Sequence, residues 1–110
     1  MPRMKNILFV CGKNRQRSPT AEQTFASDPR FEVASAGISA DADNPLTPDL
    51  VEWADIIFVM EKAHRQKLAT HFRTSLKHAR VICLNIPDKY AFMAPELVRI
   101  LKSKVSAHLR

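Results

Sequence analysis

The stretch Asn6-Ile7-Leu8-Phe9-Val10-Cys11-Gly12-Lys13-Asn14-Arg15-Gln16-Arg17-Ser18-Pro19 decides how the chain is read. After Asn6 the run is continuously apolar up to the thiol, the pattern of a strand buried on both faces. A polar loop, Gly12 to Gln16, then leads to Arg17-Ser18-Pro19, where the proline suits the first turn of a helix. A loop placed between strand and helix can turn its backbone N–H groups inward, making an anion-binding nest at the helix N-terminus. A thiol at the floor of such a nest is held as thiolate and aimed at the bound anion. Cys11 and Arg17 stand at the two ends of this loop. The stretch points to phosphate or another oxyanion handled by a cysteine nucleophile.

Outward from this loop, strand-like and helix-like segments alternate. Residues 18–27 predict a helix with Ala21 and Phe25 on one face and Glu22 favourable to its dipole, stopped by Asp28-Pro29. A strand follows over Phe31 to Ser35, closed by Ala36-Gly37, and residues 38–45 have loop composition. Thr47-Pro48-Asp49 opens a brief helix through Trp53. Asp55 to Met60 predicts a third strand, and Lys62 to Arg73 a helix with Leu68, Phe72 and Leu76 at four-residue spacing. Arg80 to Leu84 is a fourth strand, Pro87 to Tyr90 a loop, and Pro95 opens the last helix. There Leu97, Ile100, Leu101, Val105 and Leu109 form one apolar stripe, expected to pack on the sheet. Strands separated by helices imply right-handed crossovers. The expected fold is α/β: a small three-layer domain with a four-stranded parallel sheet and helices on both faces. In such sheets ligands bind beyond the carboxyl ends of the strands. Cys11, Ser35 and the Pro87–Tyr90 loop all fall at that edge.

At 110 residues the chain is expected to form one domain, residues 1–110. No apolar stretch approaches the roughly 20 residues needed to span a bilayer, and the N-terminus lacks a cleavage-site pattern. Cys11 and Cys83 are too few for a disulfide framework and fit a reducing compartment, so a cytoplasmic location is expected. The net charge of +6 and pI near 9.8 favour anionic partners. No basic stripe interleaves with aromatics as base stacking requires, so nucleic acid is disfavoured. His64, His71, His78 and His108 form no compact metal-ligand pattern, and His64 and His71 read as solvated helix residues. Glycine-rich nucleotide motifs are absent as well. Neither metal nor cofactor is expected.

Ile7-Leu8-Phe9-Val10-Cys11, continued through Asn14 to Arg17-Ser18-Pro19-Thr20-Ala21-Glu22, resembles the low-molecular-weight protein tyrosine phosphatases. Ala34-Ser35-Ala36-Gly37 and Ala54-Asp55-Ile56-Ile57-Phe58-Val59-Met60 are similar to two further signatures of that family, in the same order. The chain is shorter than typical members, trimmed around the second strand and its following helix, as in a compact, divergent branch. The resemblance implies the phosphotyrosine phosphatase I-like fold and hydrolysis of a phosphomonoester through a phosphocysteine on Cys11. It implies that the amides of Gly12, Lys13, Asn14, Arg15 and Gln16, with Arg17 and Ser18, bind phosphate, Arg17 with a planar two-pronged contact. Ser18 would hydrogen-bond the thiolate, although a helix N-cap role competes for it. Asn14 and Ser35 would brace the loop. A leaving alkoxide or phenoxide needs a proton, and Asp88, in Ile86-Pro87-Asp88-Lys89-Tyr90, is the best candidate acid, later serving as base. Asp41, Asp43 and Asp49 are weaker contenders that suit turns and helix starts. Tyr90 is either a wall for a substrate ring or a packed loop aromatic.

Three departures from the family pattern bear on substrate. Gly12 replaces a bulky apolar residue and removes one face of a phosphotyrosine slot. Lys13 and Arg15 make the loop rim more cationic, which suits a more highly charged substrate such as a polyphosphorylated metabolite or acidic phosphopeptide. Gln16 replaces a second loop cysteine able to protect the nucleophile by pairing with it. Gly12 and Gly37 are the only glycines, so each is expected to mark a backbone conformation other residues resist; Asn14 is the next residue type tolerant of left-handed geometry. Cys83 reads as a core thiol, which leaves too few cysteines for a thiol relay and disfavours arsenate reduction. A non-catalytic phosphate- or nucleic-acid-binding module is the alternative, but it has no need of the thiol.

Overall fold

The computed structural model describes residues 4–109. Four strands, β1 (Lys5–Cys11), β2 (Phe31–Gly37), β3 (Ile56–Val59) and β4 (Arg80–Cys83), form one parallel sheet in the order β2-β1-β3-β4. The helices are α1 (Arg17–Phe25), α2 (Pro48–Trp53), α3 (Lys62–His71) and α4 (Pro95–Ser106). The expected α/β class and strand set are observed. Strand β2 runs on to Gly37, because Ala36 and Gly37 keep pairing with Val10 and Cys11.

Strand β1 lies in the middle of the sheet, which is why its sequence is apolar on both faces. Ile7, Phe9 and Cys11 point to one layer, built with Ala21 and Phe25 of α1 and Leu97, Leu101 and Val105 of α4. Phe9 stacks there between Phe25 and Phe58, with ring centroids 5.9 and 5.5 Å away. Leu8 and Val10 point to the other layer, against Val51 of α2 and Leu68 of α3. The α4 stripe packs on the sheet as its spacing predicts: Leu97, Leu101 and Val105 are buried, Ile100 and Leu109 half-buried. Burying each such side chain contributes about 1.5–3 kcal/mol.

Local signals set most boundaries. Thr47 caps α2 by accepting the Leu50 N–H at 3.2 Å, with Pro48 in the first turn. Helix α3 stops at His71, earlier than the four-residue spacing suggests. A 3₁₀ turn over Arg73–Ser75 then swings Leu76 onto the same layer as Leu68. Asn85 (φ 54°) and Met93 (φ 61°) are both left-handed and bracket the loop between β4 and α4. The Met93 N–H donates to Thr20 Oγ1 at 2.9 Å, tying that loop to α1. The carboxyl ends of β1 and β4, and the residue after β3, are thereby brought to one edge.

Candidate active site

Cys11 is the last residue of β1 and is buried. Its Sγ accepts the Asn14 amide N–H at 3.2 Å and lies 2.9 Å from Ser18 Oγ. Ser18 Oγ in turn donates to Asn14 Oδ1 at 2.8 Å. Asn14 has φ 59°, the left-handed conformation its residue type tolerates, and this bends the loop so that its amide faces the sulfur. The loop carbonyls are turned outward and tied down. Cys11 O accepts from Ile38 N at 2.9 Å, Gly12 O from Ser39 N at 3.0 Å and Lys13 O from Asp43 N at 3.0 Å. The N–H groups of Gly12, Lys13, Arg15 and Gln16 meet no acceptor among the described residues. Carbonyls tied down on the outside, with these four N–H groups left unpaired, suit an anion nest.

Arg17 opens α1 and is only 4% exposed. Its Nη1 donates to Glu61 Oε2 at 2.5 Å and to the Ile86 carbonyl at 2.7 Å, while Nε lies 3.8 Å from Asp88 Oδ1. The guanidinium is thus held from two segments, one after β3 and one after β4. A buried cation beside a buried thiol, over a set of unpaired amides, is a constellation that binds a tetrahedral dianion.

The family model described as low molecular weight phosphotyrosine protein phosphatase matches residues 6–54. Wzb of Vibrio vulnificus, solved with benzylphosphonate, superposes with a TM-score of 0.77 at 26% identity over 96% of this chain and 97% of that one. The chain is similar to the low-molecular-weight phosphotyrosine protein phosphatases in the sequence of residues 6–54 and in fold. The protein-arginine-phosphatase of Bacillus subtilis (strain 168) is 32% identical over 94 residues, covering 61% of this chain. The match spans 63% of that relative's length. The tyrosine phosphatase Wzb of Escherichia coli K30, solved with phosphate, shares the fold at a TM-score of 0.76 and 19% identity, over 96% of each chain.

Several side chains sit differently from expectation. Ser18 is not the N-cap of α1; Gln16 holds that position, which leaves the Ser18 hydroxyl for Cys11 and Asn14. Ser35 does not brace the loop. Its hydroxyl donates to Glu22 Oε1 at 2.5 Å and its carbonyl accepts from Asn44 at 2.7 Å, because β2 alternation points it at α1. The bracing comes instead from the backbone of residues 38–43. Neither glycine has a positive φ. At Gly37 the constraint is proximity: an added Cβ would stand 2.7 Å from the Gly12 carbonyl oxygen and clash with Ala42. At Gly12 a Cβ would meet only His64 Nε2, at 3.8 Å, an ordinary contact.

The rim cations are not free. Lys13 pairs with Asp41, and Arg15 Nε lies 3.2 Å from Asp43 Oδ1, so the loop's extra charge is matched locally. Lys13 in turn holds the Asp41 carboxyl below the usual carboxylate range. Asp49 lies in the first turn of α2. The Tyr90 ring packs half-buried against the α1/α4 layer, with Lys89 Nζ 5.5 Å from its centroid. Cys83 is half-buried rather than core, since β4 is an edge strand, and its Sγ approaches Asn85 Oδ1 at 3.4 Å.

Sequence reasoning passed over Glu61 and placed His64 in solvent. His71 is exposed as expected, but His64 is 7% exposed. Its Nδ1 accepts the Glu61 N–H at 3.2 Å, which assigns the ring proton of the neutral form to Nε2, on the loop side. Burial, and then Arg17, lower the His64 pKa and keep the ring neutral. The Glu61 carboxyl is lowered by its hydrogen bond from Arg17. The available signal was positional: Met60-Glu61 follows the end of β3, at the same sheet edge as Cys11.

Proposed function

We propose that the chain hydrolyses phosphomonoesters, in the manner of a protein tyrosine phosphatase, through a phosphocysteine on Cys11. The observation that carries this is the thiol hydrogen-bonded by Asn14 and Ser18 at one end of the loop, with buried Arg17 at the other end, its guanidinium fixed by Glu61 and the Ile86 carbonyl. The loop amides of residues 12–16 and Arg17 take the three equatorial phosphoryl oxygens, whose charge persists through transfer. Sulfur attacks phosphorus as the ester oxygen departs, and Asp88 supplies that oxygen's proton. Asp88 then takes a proton from the water that attacks the phosphocysteine, releasing inorganic phosphate and restoring the thiolate.

Ser18 has one hydroxyl hydrogen and two near acceptors, Cys11 Sγ and Asn14 Oδ1, with the Ala36 carbonyl farther off at 3.5 Å. With a protonated thiol the chain of donors runs from Cys11 to Ser18 to Asn14. With the thiolate, the same hydrogen turns to sulfur. One rotation of a hydroxyl thus follows the charge on the nucleophile.

Substrates on this reading are phosphorylated, either phosphotyrosine protein or a charged phosphometabolite. The ion pairs at Lys13 and Arg15 weigh against a polyphosphorylated metabolite. Two free thiols suit a cytoplasmic, reducing location. Among the described residues no helix is long and apolar enough to cross a membrane.

Hydrolysis of para-nitrophenyl phosphate by the wild type, lost in Cys11→Ser, is the expected result. An inactive wild type, or a variant with full rate, overturns the reading. Asp88→Ala is expected to slow esters with poor leaving groups more than para-nitrophenyl phosphate. Equal slowing reassigns the acid.

A further inference from the structure

Beside the candidate active site, α3 and the open edge of β4 enclose a groove of about 710 Å³. Its floor is apolar, formed by Val81, Cys83 and Ala69. Its rim carries Lys62, Arg65 and Arg80, all exposed, and no carboxylate lines it. None of these three cations enters an ion pair among the described residues, in contrast to Lys13, Arg15 and Arg17. A second hollow, lined by Glu61, Lys62, Asn85, Ile86 and Pro87, shares Lys62 and Asn85 with the groove. It ends on the Arg17 partners Glu61 and Ile86 and on Pro87, the residue before Asp88. The groove therefore leads from the mouth of the nest along β4.

The backbone of β4 is half-used. Arg80 N–H donates to Asp55 O and Leu84 N–H to Val59 O, both toward β3. Strand alternation then turns the N–H and C=O groups of Val81 and Cys83 to the open side, into the groove. Free edge groups beside a shallow apolar floor suit an extended peptide added as a further strand. Charge decides its composition: three unpaired cations attract carboxylates.

We propose that this groove receives an extended acidic segment of a phosphorylated protein substrate, lying along β4 beside the phosphorylated residue. The inference rests on the phosphatase reading above and specifies its substrate class. Its occupant carries Asp or Glu within reach of Lys62 and Arg65 on the α3 face and of Arg80 on the opposite face, with small apolar side chains over Val81 and Cys83.

The test measures binding without catalysis: fluorescence anisotropy of a labelled, phosphate-free peptide alternating Val and Glu, with para-nitrophenyl phosphate hydrolysis followed in parallel. Saturable binding is expected to weaken about tenfold in Arg65→Gln/Arg80→Gln at low salt, and to fall with ionic strength. Hydrolysis of para-nitrophenyl phosphate stays unchanged in that variant. No saturable binding, equal binding by the variant, or tighter binding of a DNA oligonucleotide of the same charge overturns the proposal. Should the cations only keep the β4 edge from pairing with another copy, the variant self-associates at unchanged peptide affinity, which also overturns it. Failure of the phosphatase reading shows separately, as absent hydrolysis in a wild type that still binds the peptide.

Discussion

Gly37 ends β2 against the outer side of the Cys11 loop, so closely that a methyl group there would stand 2.7 Å from the Gly12 carbonyl oxygen. The Gly12 carbonyl is itself fixed by the Ser39 N–H. Gly37→Ala must push the loop inward or break that bond. Overpacking of this kind costs about 1–3 kcal/mol. A lower urea midpoint is expected, together with a kcat loss larger than the stability change explains. Wild-type kcat in a folded variant would show that the loop tolerates the shift.

Glu61 and the Ile86 carbonyl both take Nη1 of Arg17, which fixes the plane of the guanidinium. On the proposed mechanism Glu61 is thus a positioning residue for the arginine that would bind phosphate. Glu61→Ala is expected to lower kcat/KM for an aryl phosphate about tenfold and weaken inhibition by inorganic phosphate, whereas Glu61→Gln, which still offers an acceptor, recovers part of both. Equal behaviour of the two variants would remove orientation as the cause.

The pairs Lys13–Asp41 and Arg15–Asp43 are solvent-exposed and screened, so each adds little to stability. Asp41→Asn/Asp43→Asn is therefore expected to leave the fold intact while uncovering two cations at the rim. Relative to para-nitrophenyl phosphate, kcat/KM for a polyphosphorylated ester should rise several-fold at low salt and lose the gain at high salt. No change in that ratio would mean the rim never meets substrate charge.

His64 binds its proton less readily in the fold than in the unfolded chain, because burial and Arg17 oppose the imidazolium. Between the ordinary value near 6.5 and the lowered folded value, the unfolded chain holds more protons, so stability falls as pH drops through this window. Glu61 is shifted down and acts at lower pH, where protonating it releases Arg17. The wild-type urea midpoint is expected to decline from about pH 7 to pH 5.5, and less steeply in His64→Asn, whose amide oxygen can still accept the Glu61 N–H. Parallel profiles for the two proteins would place the pH response elsewhere.

Elements governed by local rules were legible in the sequence. The apolar run of β1, the Thr47-Pro48 start of α2 and the α4 stripe each name their own structure. Cys11, Asn14, Ser18 and Arg17 were legible because one contiguous loop brings them together. Side chains that meet through the fold were not. Glu61 reaches Arg17 across 44 residues, and Asp41 reaches Lys13 across 28. No spacing rule links such pairs. Ser35 was misplaced because the β2 alternation fixes its direction only once the register with β1 is known. The left-handed Met93 has no local signal, since its residue type does not favour that geometry.

The sulfur of Cys11 terminates the one strand whose residues 7 to 10 have no exposed surface at all. The β4 groove lies instead at the margin of the sheet, on its open edge strand. Mutation can therefore rewrite what is gripped at that margin at little cost to folding, while any change at the centre is heavily penalised. A lineage built on this plan diversifies its targets and inherits its reaction unchanged.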